Sequence, residues 1–195
     1  MNTLFKRLKG NLDPIPMPLT PLGMAWAKDY PFETQTKLFV EEKLYNPEFK
    51  EWLWQHGQLL IADVELFLNP PNWSMPIHCD GGNTSDVCKI NFAFSDAPSL
   101  MKWYRPLTAG TKGSLPYNNG KEVNVTDVFW FEDQVELIAE EEISIHLVNA
   151  GQPHSVTTTT AERRCLSVNL DAIMSDGTEI VEVPFEMGVK CLFNT

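Results

Sequence analysis

From Gln58 to its end the chain runs in short stretches where apolar and polar residues alternate, each stopped by glycine, proline or asparagine. Ile61-Ala62-Asp63-Val64-Glu65-Leu66-Phe67-Leu68 shows the pattern, and Asn69-Pro70-Pro71 ends it. Further strand candidates cover residues 75–78, 88–94, 100–104, 122–131, 136–139, 143–148, 155–159, 164–170 and 180–183. Turn signals separate them at Gly81-Gly82-Asn83, Ala97-Pro98, residues 110–113, Asn118-Asn119-Gly120 and Asp176-Gly177. A period of two buries one face of a sheet, so the strands need other layers to pack against.

The first third reads differently. Pro14, Pro16, Pro18 and Pro21 rule out helix or central strand, so residues 1–23 are expected to form a proline-rich extended arm. A helix is predicted over residues 32–45, where Phe32, Leu38, Phe39, Leu44 and Tyr45 interleave with Glu and Lys. A second runs from Pro47, a good first helical residue, to Gly57. Helices first and many strands afterwards imply an α+β, mainly β fold: a double-stranded β-helix (jelly roll) with N-terminal helices on one sheet. At 195 residues, 24–195 makes one domain, long enough to bury its own core.

A net charge of −11 weighs against nucleic acid, whose phosphates call for clustered Lys and Arg. The basic, polar-broken start holds no signal-peptide core, and no apolar run is long enough for a membrane span. Cys79, Cys88, Cys165 and Cys191 form no CxxC pair and read as free thiols, which with the missing leader suggests a cytoplasmic protein. Oligomeric state is not readable.

Three side chains carry chemistry. His78 and Asp80 stand one residue apart, leaving the same face of an extended segment just before a Gly-Gly loop. His154 follows the turn Asn149-Ala150-Gly151-Gln152-Pro153 and opens a β-rich stretch. Two imidazoles and a carboxylate occupy one face of an octahedral iron(II) and leave the other face open. A lone His-x-Asp arises by chance, and a histidine beside a turn is commonly a surface group; the context of loop and distant partner argues otherwise. His56, near a helix C-terminus, and His146, in mid-strand, are weaker ligand candidates.

His78-x-Asp80, then His154, then Arg163-Arg164 nine and ten residues on, resembles the iron(II)/2-oxoglutarate-dependent oxygenase superfamily. The resemblance spans about residues 60 to 170. The small size and helical N-terminus are similar to prolyl-hydroxylase-like and aspartyl/asparaginyl-hydroxylase-like members, the latter often lacking the carboxylate this chain has at Asp80. The resemblance implies Fe(II), 2-oxoglutarate and O2, with hydroxylation of a C–H bond and release of succinate and CO2. It also implies that a basic residue grips the far carboxylate of 2-oxoglutarate. Strand alternation sets Arg163, Cys165, Ser167 and Asn169 on one face, and Arg164, Leu166, Val168 and Leu170 on the other. The polar face suits a ligand cavity, so Arg163 is expected to bind the co-substrate with Ser167 assisting.

Asn91, polar within an apolar strand, is a further co-substrate contact or a residue bonded to nearby backbone. Trp73, Trp103, Tyr104 and Trp130 could line a substrate mouth or simply fill the core. That aromatic content favours a protein or peptide side chain as substrate over a free small molecule. Two rivals stand beside the oxygenase: a cupin-like metalloenzyme without 2-oxoglutarate, and a metal-free jelly-roll binding module.

Overall fold

The computed structural model describes residues 4–8, 14–80, 87–95, 98–113, 127–173, 177 and 179–193. Strands and helices are numbered in chain order. One antiparallel sheet runs β1 (Phe5–Arg7), β10 (Ile145–Asn149), β5 (Cys88–Ala93), β12 (Arg163–Ile173), β3 (Leu59–Asn69), β2 (Thr36–Phe39). β13 (Ile180–Glu182) pairs with the far end of β12. The other sheet runs β7 (Thr111–Gly113), β8 (Asp127–Trp130), β4 (Ile77–Cys79), β11 (His154–Thr158), β6 (Ser99–Pro106), β9 (Val135–Glu142). Helices α1 (Pro21–Asp29), α2 (Pro47–Gly57) and α3 (Phe185–Phe193) complete the described elements.

Alternation along the strands divides the interior in two. Leu166, Val168 and Leu170 of β12 point to one side, with Val64, Leu66 and Leu68 of β3 and Ile90 and Phe92 of β5. There they meet Phe49 and Leu53 of α2 and Phe185 and Leu192 of α3 in the main core. Each fully buried Leu or Phe contributes about 2 kcal/mol, so this face supplies most of the cohesion. The opposite side of the same strands carries polar groups and lines a cavity of about 310 Å³, shared with residues of the second sheet.

The two helices expected near the N-terminus are only half right. α2 spans Pro47–Gly57, with the Asn46 side chain accepting from the Glu48 N–H at 3.0 Å. Residues 32–45 do not form a helix: they hold β2 and a 3₁₀ turn, Glu42–Leu44. Strand order explains it. The edge of β3 was open to pairing, and an extended 36–39 sends Lys37 and Phe39 to the cavity side. The arm is corrected too, because Pro21 begins α1, capped by the Thr20 hydroxyl. α1, α3, β1, β2 and β7 had no counterpart among the expected elements. The proposed turns at 81–83 and 118–120, and residues 122–126 of an expected strand, lie outside the described residues.

Candidate metal centre

His78 lies in β4 and His154 opens β11, and the two are direct antiparallel partners. Opposed side chains share a face, and the imidazole centroids stand 4.5 Å apart. Asp80, two residues after His78, returns to that face, its backbone N–H held by Ala150 O at 3.0 Å. The preceding turn is shaped by Asn149, whose Oδ1 accepts from Gly151 N and Gln152 N. Ligand atoms of His78, Asp80 and His154 all lie within 4.8 Å of one another. Neighbouring ligands about 2.1 Å from one ion sit about 3 Å apart, so small side-chain adjustments close the set.

The donor chemistry fits a divalent ion. His78 Nδ1 bonds Pro76 O, and His154 Nδ1 bonds Gln152 O, each at 2.9 Å. A carbonyl only accepts, so Nδ1 carries the proton in both rings and Nε2 keeps its lone pair. Burial, then the neighbouring His78, pushes His154 down to about 4, which keeps the ring neutral at ordinary pH. Burial raises the Asp80 carboxyl, but with the Lys89 ammonium beside it the group is held well below the usual range. His154 thus turns a neutral imidazole, and Asp80 an anion, to the point that His78 also faces.

Asp80 does not stand alone. Its Oδ1 is 3.3 Å from His78 Nε2, while Oδ2 takes the Lys89 ammonium at 2.6 Å. Lys89 also reaches Glu65 at 3.4 Å, and Glu65 is paired with Lys37. Lys37, Glu65 and Lys89 are all buried, so a chain of alternating charges crosses the cavity wall to the proposed ligand. Sequence reading overlooked these three. The signal was present, since Lys89 alternates with Asn91, and Glu65 with Asp63 and Phe67, on the polar faces of otherwise apolar strands.

The two arginines part company. Arg163, 5% exposed, lines the cavity, with Nε on Ser99 Oγ at 3.2 Å and Nη1 on Asn69 Oδ1 at 3.0 Å. No carboxylate among the described residues lies within ion-pair distance of it. Arg164 points away, bonding Ala27 O, Tyr30 O and Glu162 and lying over Phe32. Ser167 and Asn91 are register partners on the cavity face, and Asn91 Oδ1 is buried with no hydrogen-bond partner among the described residues. Arg163 is steadied by Ser99 and Asn69.

The four aromatic residues divide between the core and a second cavity, of about 590 Å³, which Tyr104 and Trp130 line. Trp103 is fully buried, stacked on Phe5, with Nε1 on Asn149 O. Trp130 and Tyr104 belong to a separate small cluster around Ile77 and Cys79, and Trp73 packs beside Met75 and Val156. Phe39 and Phe67 line the cavity that holds His78, Asp80 and His154, Phe39 being 54% exposed. His56 bonds Trp52 O within α2, and buried His146 accepts from Ser144 N; neither joins the cluster.

No family model matches the chain, and no curated protein is similar to it in sequence. Solved structures align with parts of it, each at a TM-score under 0.5. One is an oxidoreductase of the 2OG-Fe(II) oxygenase family from Burkholderia pseudomallei, with 10% identity, TM-score 0.35, 64% of this chain and 52% of that one. A second is HygX from Streptomyces hygroscopicus with nickel and 2-oxoglutarate bound, with 11% identity, TM-score 0.40 and 84% of each chain. A third is the vicilin of Solanum melongena, with 14% identity, TM-score 0.32, 73% of this chain and 31% of that one. The chain thus spans about half the length of the Burkholderia protein.

Proposed function

We propose that the protein is an Fe(II)- and 2-oxoglutarate-dependent dioxygenase built on a double-stranded β-helix, hydroxylating a C–H bond of a small molecule or a protein side chain. One observation carries this reading. His78, Asp80 and His154 turn three donor atoms to a single point in a cavity that also holds a buried arginine without a carboxylate partner. Bound iron, with dioxygen and 2-oxoglutarate, supplies the oxidising power that no side chain has. The protein's share is orientation and charge. His78 and His154 present Nε2 because Pro76 O and Gln152 O hold their Nδ1 protons. Arg163, positioned by Ser99 and Asn69, offers its remaining N–H donors to the distal carboxylate of the oxo-acid. Asn91 Oδ1, an acceptor, is left for a donor such as a substrate N–H or O–H. Phe39 and Phe67 make an apolar wall where a substrate C–H can approach with water displaced.

Anaerobic titration with Fe(II) and then 2-oxoglutarate tests the reading. A weak visible charge-transfer band is expected in the wild type and not in His154→Ala. A cupin-like metalloenzyme would bind iron but give no band with the oxo-acid, and a metal-free module would bind neither.

A further inference from the structure

The ion pair between Lys89 and the carboxylate of Asp80 is not required by a three-ligand metal centre. A ligand aspartate could be oriented by a neutral donor, and burying a lysine costs several kcal/mol unless it is fully paired. Here the lysine is buried and paired on both sides, by Asp80 Oδ2 at 2.6 Å and Glu65 Oε2 at 3.4 Å. The two oxygens of Asp80 have different neighbours: Oδ1 faces the imidazole nitrogen of His78 at 3.3 Å, and Oδ2 faces the ammonium. Only Oδ1 is therefore directed at the point shared with His78 and His154.

We propose that Lys89 is a positioning residue that confines Asp80 to one-oxygen ligation, loosening the protein's hold on the ion and keeping coordination positions open for the co-substrate. The proposal rests on the metal-centre reading above. An unrestrained carboxylate can chelate a cation with both oxygens, and here the second would take a position otherwise filled by exchangeable water. A charge-assisted bond of 2.6 Å withholds that oxygen. The ammonium also stands across one carboxylate from the dication and repels it. Glu65 and, behind it, Lys37 keep Lys89 from following Asp80 toward the ion, since Glu65 bonds both lysines. Removing Lys89 should then do what loss of a merely structural group would not: tighten metal binding while depriving the ion of open positions.

Mn(II) titration followed by electron paramagnetic resonance, with water-proton relaxation measured on the bound ion, reads both effects without turnover. Lys89→Met, close to lysine in shape but uncharged, is expected to bind Mn(II) about tenfold more tightly, as loss of a near repulsion implies. Its relaxivity per bound ion should fall by about one third, as three water positions become two. Lys89→Arg should restore wild-type affinity and relaxivity. Glu65→Gln, which gives Lys89 wholly to Asp80 and removes a negative charge near the ion, should weaken binding about threefold or more, and it carries the test if Lys89→Met does not fold. Unchanged or weaker binding in Lys89→Met with wild-type relaxivity overturns the inference and leaves the metal centre standing. A wild-type protein that binds no Mn(II) overturns both.

Discussion

At the scale of single residues, the neighbouring arginines show how strongly one step along a strand changes a side chain's work. Arg163 faces the cavity with two neutral partners and no carboxylate, whereas Arg164 ties β12 to the C-terminal end of α1 through Ala27 O and Tyr30 O. A hydrogen bond from a charged donor is worth about 1.5–3 kcal/mol, so Arg163→Gln is expected to raise the KM for 2-oxoglutarate by about 10- to 100-fold. Arg164→Leu should leave that KM within about twofold yet lower stability by about 1–2 kcal/mol, through two carbonyls losing their donor. Initial-rate kinetics and urea melts on both variants check this; a larger KM effect at Arg164 would reverse the assignment. The separation was legible in the sequence because strand period fixes which side chains share a face. The Lys37–Glu65–Lys89 chain was not read there, because pairing across β2, β3 and β5 depends on a register that no local pattern states.

At the scale of elements, the contact between α2 and α3 decides how α2 ends. A glycine after a helix usually takes the left-handed conformation, and Gly57 is the obvious candidate. Instead Gly57 is the last helical residue and Gln58 turns left-handed at φ 53°. The reason is room: a Cβ on Gly57 would stand 2.5 Å from Cys191 Cβ on α3. Gly57 serves close packing, and the strained position falls to glutamine. Gln58→Gly is therefore expected to stabilise the protein by about 1 kcal/mol, while Gly57→Ala destabilises it by at least as much by forcing α3 outward. Thermal unfolding of both variants measures the pair; destabilisation by Gln58→Gly would refute the account. The helix 47–57 was readable because proline at its start and glycine near its end are local signals. The strand at 36–39 was not, since its hydrogen bonds come from β3, whereas α3 was missed although Phe185, Val189 and Leu192 recur at helical spacing after Pro184.

At the scale of the whole molecule, one sheet separates an apolar core from a charged cavity, and titratable groups are buried on both sides. His154 in the cavity and His146 on β10 are each held at about 4 against an ordinary value of 6.5, burial being the main cause in both. Lowered imidazoles mean that between about pH 6.5 and 4 the unfolded chain binds two protons that the folded protein refuses. Stability is then complete above about pH 6.5 and lost as the pH falls toward 4, by on the order of 3 kcal/mol for each ring. The half-buried Asp63 carboxyl, pushed up by desolvation, works the other way, but only as the pH reaches the carboxylate range. Chelator-treated protein unfolded in urea at about pH 7, 6 and 5 should lose midpoint steadily at constant slope. His146→Gln, which removes one of the two rings, should roughly halve that loss, and a midpoint flat across the interval would mean that neither imidazole is held neutral by the fold. Adding Mn(II) should raise the midpoint most at pH 7 and progressively less toward pH 5, because each proton taken by a ligand competes with the ion for the same lone pair.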